Sequence, residues 1–136
     1  MGSFSDVYEV DVLKATTAQT TTILTTTALT EVYLALYTTN PTDSTNGTEV
    51  SGGSYARVAT KTKWATPSAG SVATNAVLTF PTATADWGTV TGFALRTESS
   101  GTAGSMLCWG ALTASKVVSN GDTASVASGA LTITLD

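Results

Sequence analysis

The feature that most restricts the fold of this chain is a series of short segments in which apolar residues recur at every second position. Glycine or proline separates these segments. In the clearest one, Val32, Leu34 and Leu36 alternate with other residues, and Asn40-Pro41 ends the run. A period of two is the side-chain period of a β-strand, whereas a helix repeats every three or four residues. The chain is therefore predicted to fold mainly into strands.

Segments of this kind follow one another along most of the chain, at intervals of roughly 8 to 15 residues. They cover residues 32–37, 55–64, 72–80, 89–97, 106–113, 123–127 and 131–135. Turn signals such as Asn120-Gly121 separate them, and no long helical pattern interrupts them. The sequence predicts an all-β fold, a single-domain antiparallel β-sandwich or jelly roll spanning residues 31–136.

The first thirty residues differ from the rest, and we interpret residues 1–30 as an amino-terminal arm or attachment segment. Tyr8, Val10 and Val12 alternate with acidic residues, which favours a strand. The apolar residues between Phe4 and Leu13 also fit a short amphipathic helix, so an extended and a short-helical arm both remain open. The threonine-rich stretch 16–30 is predicted either to order only against a neighbour or to supply a strand pair of the main fold.

Composition excludes several classes of function. About a fifth of the chain is threonine, which suits pleated surfaces, and only 12% of its residues are charged. The net charge is −4, and the six basic residues form no run that would neutralise a phosphate backbone or an anionic lipid surface. We therefore expect no nucleic-acid or membrane partner. The start of the chain lacks a cationic and apolar leader, so we also expect no signal peptide.

The residues needed for most catalytic sites are missing. The chain has no histidine and a single cysteine, Cys108, which excludes histidine-based triads and the common zinc sites. We predict no catalytic residue, no bound metal and no cofactor, and hence a protein that is not an enzyme. A carboxylate pair such as Asp86 and Glu98 would still allow a hydrolase acting on sugars. That hypothesis is less favoured than a turn-capping role for Asp86 beside a buried Trp87.

Four stretches of the sequence resemble a family of small tailed-bacteriophage proteins often described as phage tail fibre proteins. They are Tyr33-Leu-Ala-Leu-Tyr37-Thr38, Gly47-Thr-Glu-Val-Ser-Gly-Gly-Ser-Tyr-Ala-Arg57-Val58, Phe80-Pro-Thr-Ala-Thr-Ala-Asp86-Trp87-Gly88-Thr-Val-Thr91, and Trp109-Gly-Ala-Leu-Thr-Ala-Ser-Lys116 continuing through Asn120-Gly121-Asp122-Thr123 to Leu135. The resemblance covers about residues 31–136. The amino-terminal arm departs from the family pattern, in which a more charged amphipathic helix follows Ser-Asp.

The resemblance implies a non-enzymatic structural protein of the phage virion, assembled in the cytoplasm of the host bacterium. Our first hypothesis is a capsid decoration protein on the outer surface of the head, with the major capsid protein or another virion protein as partner. The alternative is a component of the tail fibre, tail tip or adaptor that contacts host glycans through loop aromatics such as Tyr55 or Trp64. A homo-oligomer, either a trimer or a dimer, is expected in both cases.

Partner contacts are predicted in two parts of the chain. Apolar residues in the arm can add to the edge of a partner's sheet, and the loop Thr42–Gly53 with its neighbour Tyr55 offers polar contacts. The predicted contact residues are Phe4, Val7, Tyr8, Ile23, Leu24, Asn46, Glu49 and Tyr55.

Overall fold

The computed structural model describes Ser5 and residues 29–134, and every described element is a β-strand. The strands are β1 (Tyr33–Thr39), β2 (Thr48–Glu49), β3 (Val58–Ala59), β4 (Ser71–Ala73), β5 (Leu78–Thr79), β6 (Gly88–Arg96), β7 (Met106–Val118), β8 (Ser125–Val126) and β9 (Thr132–Thr134). Within this part of the chain, no helix is long and apolar enough to cross a membrane. The predicted all-β class is confirmed.

The main sheet is antiparallel and has the strand order β2-β1-β6-β7, and β3 pairs with the start of β1. β1 and β6 are aligned over five residue pairs, among them Leu34 with Leu95 and Leu36 with Phe93. Two short strand pairs, β4 with β9 and β5 with β8, form the opposite layer of the sandwich. β1 and β6 are therefore the two inner strands of the main sheet.

The side chains of β1 point alternately to the two faces of the main sheet. Leu34 and Leu36 of β1 belong to the large core between the layers, where they join Phe80, Trp87 and Leu131. Burying side chains of this size contributes roughly 1.5–3 kcal/mol each relative to leaving them exposed. This core holds the two layers together.

The other face of the main sheet carries a smaller cluster. Ala35 and Tyr37 point into it and meet Ala94 and Met106, with the half-buried Trp109 packed alongside. The loops that follow β1 and β6 cover this cluster, as the hydrogen bonds described below show. Because both faces of β1 are covered, four successive residues of that strand are buried.

β7 is the outer strand of the main sheet and contains a large bulge. Val90 pairs with Lys116 and Gly92 pairs with Ala111, so residues 112–115 lie opposite Thr91 alone. Such bulges bend the strand that carries them. A Cβ atom at Gly92 would lie 2.7 Å from the carbonyl oxygen of Gly110 in β7, so the close approach of β6 and β7 here requires glycine.

The strand boundaries differ from the predicted ones in several places, and β2 lies within the predicted loop Thr42–Gly53. The predicted strand 55–64 is reduced to Val58–Ala59, and the predicted strand 72–80 is divided into β4 and β5. β7 continues past residue 113 to Val118. The arm's helical and extended alternatives concern residues that, apart from Ser5 and residues 29–30, lie outside the described ones, and the boundary at residue 30 stays a prediction.

Candidate partner-contact surface

Two loop regions, one on either side of β2 and the other between β6 and β7, line common depressions and together form an exposed surface. We call residues 42–47, 51–54 and 99–103 the loop surface. Its side chains are serine, threonine, asparagine and alanine with several glycines, and Asp43 is its one ionisable residue. Most of these residues are exposed, whereas the residues that anchor the loops from below are buried. Short side chains of this kind lose little conformational entropy when they become ordered in a contact.

Arg57 is the first anchor of the loop surface. Its guanidinium donates to both carboxylate oxygens of Glu49, at 2.8 and 2.6 Å, and to the carbonyl oxygens of Glu98 and Gly101, at 2.8 and 2.7 Å. Burial alone would lower the pKa of Arg57, but the hydrogen bonds and charges of Glu49 and Glu98 outweigh burial and raise that pKa. Arg57 therefore stays charged and ties the two loop regions together.

Arg96 is the second anchor, and it lies at the end of β6 with 1% of its surface exposed. Its Nε donates to Glu98 Oε1 at 2.6 Å, Nη1 donates to Asn46 Oδ1 at 3.1 Å, and Nη2 donates to the carbonyl oxygen of Gly104 at 3.1 Å. Glu98 Oε1 also accepts from Arg57 Nη1 at 3.1 Å. The two arginines thus share one carboxylate, and their two charges are balanced by Glu49 and Glu98.

Tyr55 connects this charge network to the large core. Its hydroxyl donates to Glu49 Oε1 at 2.9 Å and accepts from the backbone N–H of Leu36 at 2.9 Å. Its ring stacks near Phe80 at 6.2 Å and meets Trp87 edge-on at 5.3 Å. Burial raises the pKa of Tyr55, so the hydroxyl remains a hydrogen-bond donor. Both ends of the side chain are therefore engaged within the molecule.

The other aromatic side chains near the loops also make internal contacts. Trp109 Nε1 donates to Asp43 Oδ1 at 2.8 Å, which fastens the loop after β1 over the smaller cluster. Trp64 is half-buried against the large core, and its Nε1 donates to Thr60 Oγ1 at 3.2 Å. No aromatic ring belongs to the loop surface, so it offers no platform on which a sugar ring could stack.

Two shallow depressions lie among these loops, and each takes residues from both loop regions. The first, of about 360 Å³, is lined by Ser5, residues 43–46, Thr102 and residues 104–106. The second, of about 390 Å³, is lined by residues 49–52, 55–57 and 99–101. Serine, threonine and glycine supply about half or more of the lining residues of each, so both polar and apolar atoms are available for contacts.

The groups able to do chemistry near this surface are already occupied. Glu49 and Glu98 are held in ion pairs with the arginines, and Asp86 Oδ1 accepts from the backbone N–H of Asn120 at 2.8 Å, as expected for a turn cap. Burial raises the pKa of the Cys108 thiol to about 11. Across Ser5 and residues 29–134, no three metal-ligating side chains cluster in a way that would hold an ion.

The structure brings three of the predicted contact residues to this region. Asn46 is exposed, but its Oδ1 accepts from Arg96, while Glu49 and Tyr55 are part of the network beneath the loops. Their predicted contact with a partner remains a prediction. The other five predicted contact residues lie outside the described part of the chain: Phe4, Val7, Tyr8, Ile23 and Leu24.

The two arginines that organise the region, Arg57 and Arg96, were not predicted from the sequence as functional residues. Each has apolar neighbours along the chain, Ala56 and Val58 around Arg57 and Leu95 before Arg96. A charged residue inside an otherwise apolar strand pattern is a signal for a buried ion pair, because a buried charge needs a partner.

A comparison with models of known protein families identifies the family of this chain. A family model described as Podophage GP4 fiber I protein gp80 matches residues 3–134. The chain belongs to this family. No curated protein sequence matches the chain.

Membership of the gp80 fibre family confirms the resemblance to phage tail fibre proteins. The match is wider than that resemblance, because it begins at residue 3 rather than near residue 31. The amino-terminal residues are therefore part of the sequence that the gp80 fibre family shares. The protein is a phage fibre-type structural protein and, as such, a component of the virion.

Proposed function

We propose that this protein is a non-enzymatic component of the phage tail fibre, attached to a neighbouring virion protein through its loop surface. The observation that carries the proposal is the family match over residues 3–134, since the family is described as a fibre protein. That description supports the tail-fibre alternative better than a capsid decoration role, which was the first hypothesis from the sequence.

The geometry of the loops supports a binding role rather than a catalytic one. Two buried arginines fix the loop backbone from below, so the exposed serine and threonine side chains have defined positions before a partner arrives. A surface ordered in advance loses less entropy on binding. Of the two carboxylates considered for a hydrolase, Glu98 is paired with those same arginines and Asp86 accepts a hydrogen bond from the turn at Asn120.

A protein partner fits this surface better than a host glycan. Sugar sites commonly use an exposed aromatic ring, and Tyr55 and Trp64 are both engaged in internal contacts. We further propose that the protein forms a dimer or trimer, because oligomers of identical chains usually close with rotational symmetry. Light scattering of the purified protein measures the number of chains in the oligomer directly.

The position in the particle is tested by counting and locating the protein in purified virions. Quantitative mass spectrometry against the major capsid protein is expected to give tens of copies or fewer per particle, and antibody labelling is expected on the tail. Hundreds of copies spread over the head would instead establish decoration and contradict the proposal.

The role of the loop surface is tested with phage that carry single substitutions. Ser51→Arg and Thr102→Arg place a long charged side chain on exposed positions of the loop surface. We expect them to reduce the amount of the protein in particles at least several-fold. Thr62→Arg, at an exposed position outside the loop surface, is the matched control. Equal incorporation of all three variants would contradict attachment through the loops.

A further inference from the structure

The loop after β1 contains an asparagine that is followed by glycine, Asn46-Gly47. Asn46 is exposed, and its Oδ1 accepts a hydrogen bond from Nη1 of the buried Arg96 at 3.1 Å. Because a guanidinium can only donate, the oxygen of the side-chain amide faces the positive charge and its nitrogen does not. The positive charge draws electrons towards Oδ1 and makes the side-chain carbonyl carbon, Cγ, easier to attack.

The backbone of this loop admits only glycine after Asn46. Gly47 has a φ of +62°, in the left-handed region that residues with a side chain disfavour. A Cβ atom at Gly47 would collide with the carbonyl oxygen of Thr39 and would lie 2.6 Å from the backbone nitrogen of Pro41. The backbone nitrogen of Gly47 therefore has no side chain beside it that could keep it from Cγ of Asn46. None of the described residues accepts a hydrogen bond from its N–H group.

We propose that Asn46 is a site of spontaneous deamidation. The backbone nitrogen of Gly47 loses its proton to hydroxide and attacks Cγ of Asn46, which closes a succinimide ring. The bond between Cγ and Nδ2 breaks, and Nδ2 takes up a proton and leaves as ammonia. Water then opens the ring. Its attack on Cγ gives aspartate, and its attack on the backbone carbonyl carbon gives isoaspartate.

Arg96 assists the first of these steps. Negative charge develops on Oδ1 of Asn46 as the ring closes, and the guanidinium that already donates to Oδ1 stabilises this charge. Arg96 is held in place by Glu98 and by the carbonyl oxygen of Gly104. The donor is therefore positioned before the reaction begins.

Two of the other asparagines are poorly suited to the same reaction. Asn40 precedes Pro41, which has no N–H group and cannot supply the attacking nitrogen. Asn75 precedes Ala76, whose methyl group lies beside the attacking nitrogen. The Nδ2 group of Asn75 also donates to the carbonyl oxygen of Trp64 at 3.1 Å, which holds the leaving group in place.

Asn120 provides an internal comparison, because it too is followed by glycine. The N–H of Gly121 donates to the carbonyl oxygen of Ala83 at 2.7 Å. This hydrogen bond must break before the nitrogen can attack the side chain of Asn120. The folded protein is therefore expected to protect Asn120, whereas it activates Asn46.

The two products of the reaction affect the loop surface differently. Aspartate keeps an acceptor in place for Arg96 and replaces a hydrogen bond to a neutral amide with an ion pair, which adds one negative charge to the loop surface. Isoaspartate carries its carboxylate one carbon atom closer to the backbone and lengthens the main chain by one atom. The loop packs closely on Thr39 and Pro41, so we expect isoaspartate to displace the loop and to lose the bond to Arg96.

The proposal is tested by following Asn46 and Asn120 in one sample. The purified full chain is incubated at pH 8, and peptide mass spectrometry locates the gain of one mass unit at each asparagine. We expect Asn46 to convert at least fivefold faster than Asn120 in the folded protein, and the two to convert at similar rates in urea, where neither keeps its tertiary contacts. Similar rates in the folded protein, faster conversion of Asn120, or no conversion of Asn46 would each overturn the proposal.

A matched variant checks that the new charge arises in this loop. On an anion-exchange column, the aged parent protein is expected to yield more acidic species, one of which elutes with the freshly purified Asn46→Asp variant. Asn46→Gln retains the amide but has a longer side chain that closes the ring far more slowly, so we expect it to form these species at least fivefold more slowly. Equal formation by Asn46→Gln would contradict the proposal. If Asn46→Gln does not fold, the comparison of Asn46 with Asn120 in the parent still decides.

Discussion

Arg57 binds Glu49 through two hydrogen bonds, Nε to Oε1 at 2.8 Å and Nη2 to Oε2 at 2.6 Å. The arginine side chain is 2% exposed and the glutamate side chain 23% exposed. A pair of this geometry combines charge with a fixed orientation, and here it joins β2 to the segment before β3. The stability of the loop surface therefore depends on interactions that lie beneath it.

Replacing Glu49 by Gln should destabilise the protein. The amide presents an N–H group where Arg57 needs an acceptor, which leaves a buried cation with less compensation. We expect a loss of about 1–3 kcal/mol in the free energy of unfolding, less than for a fully buried pair because Glu49 is partly exposed. Urea denaturation followed by circular dichroism measures it.

The matched control for that change is Glu31→Gln. Glu31 Oε1 accepts from the backbone N–H of Val32 and of Lys61, at 2.9 and 2.8 Å, and an amide oxygen can still accept both bonds. The expected loss is below about 0.5 kcal/mol. Equal losses of unfolding free energy for the two variants would show that the Arg57–Glu49 pair contributes no more to stability than the hydrogen bonds of Glu31.

Gly104→Ala should disturb the shared carboxylate. A Cβ atom at Gly104 would collide with Glu98 Oε2, and the arginines prevent Glu98 from moving aside freely. We expect about 1–3 kcal/mol of destabilisation. A double-mutant cycle checks the cause, because Glu98→Ala removes the obstructing group and the second substitution should then cost much less. If the losses of stability from Gly104→Ala and Glu98→Ala simply add, the destabilisation by Gly104→Ala does not come from a clash with Glu98.

Cys108 should be unreactive in the folded protein. Burial raises its pKa to about 11, so the thiol carries its proton at pH 8 and the nucleophilic thiolate is scarce. Iodoacetamide at pH 8 is expected to modify the native protein very slowly and the urea-unfolded protein rapidly. Fast modification of the native state would place the thiol at the surface.

The raised pKa of Cys108 also predicts how the stability of the protein depends on pH. A folded-state pKa above the unfolded value of about 8.5 means that the unfolded state loses its proton first as the pH rises. The contribution of Cys108 is therefore fully present below pH 8.5 and is lost as the pH rises towards 11. The Cys108→Ala variant should lose less stability than the parent between pH 8 and 10. A larger loss of stability in the Cys108→Ala variant than in the parent would contradict a raised pKa for Cys108.

Trp87→Phe should weaken the large core. Trp87 is buried, and its Nε1 donates to the carbonyl oxygen of Gly53 at 2.9 Å. Phenylalanine lacks the donor and leaves a small void, so we expect a loss of about 1–3 kcal/mol. Trp64→Phe is the control, since Trp64 is half-buried and makes a longer bond of 3.2 Å. Comparable losses would contradict a central role for Trp87.

Sequence patterns predicted the strands with regular apolar alternation and missed those organised by polar contacts. β1 was predicted well, because successive side chains of a strand alternate between its two faces, and here they alternate between the large core and the smaller cluster. The segment 55–64 alternates equally well, but Tyr55 and Arg57 turn inwards to bind Glu49, and the backbone leaves the sheet after Ala59. The direction of those side chains also depends on partners in other parts of the chain, Leu36 for Tyr55 and Glu98 for Arg57.

The length of β7 was underestimated for a related reason. Residues 112–116 show little alternation, and the bulge opposite Thr91 displaces them from regular pairing. Pairing resumes at Lys116 because β6 continues as its partner down to Gly88. A bulge leaves little trace in the local pattern, so only the sheet as a whole defines such a strand. The arginines beneath the loop surface were missed because Arg57 and Glu98, which lie far apart along the chain, meet only in the folded protein.

The near absence of charge on the loop surface affects how the protein finds its partner. Ionic attraction acts over about 8 Å at physiological salt and accelerates encounters between oppositely charged patches. A surface composed mainly of hydroxyl groups and glycines attracts a charged partner only weakly over this distance. Its association rate should therefore change little between dilute and concentrated salt, and recognition must depend on the match of shape and hydrogen bonds after contact.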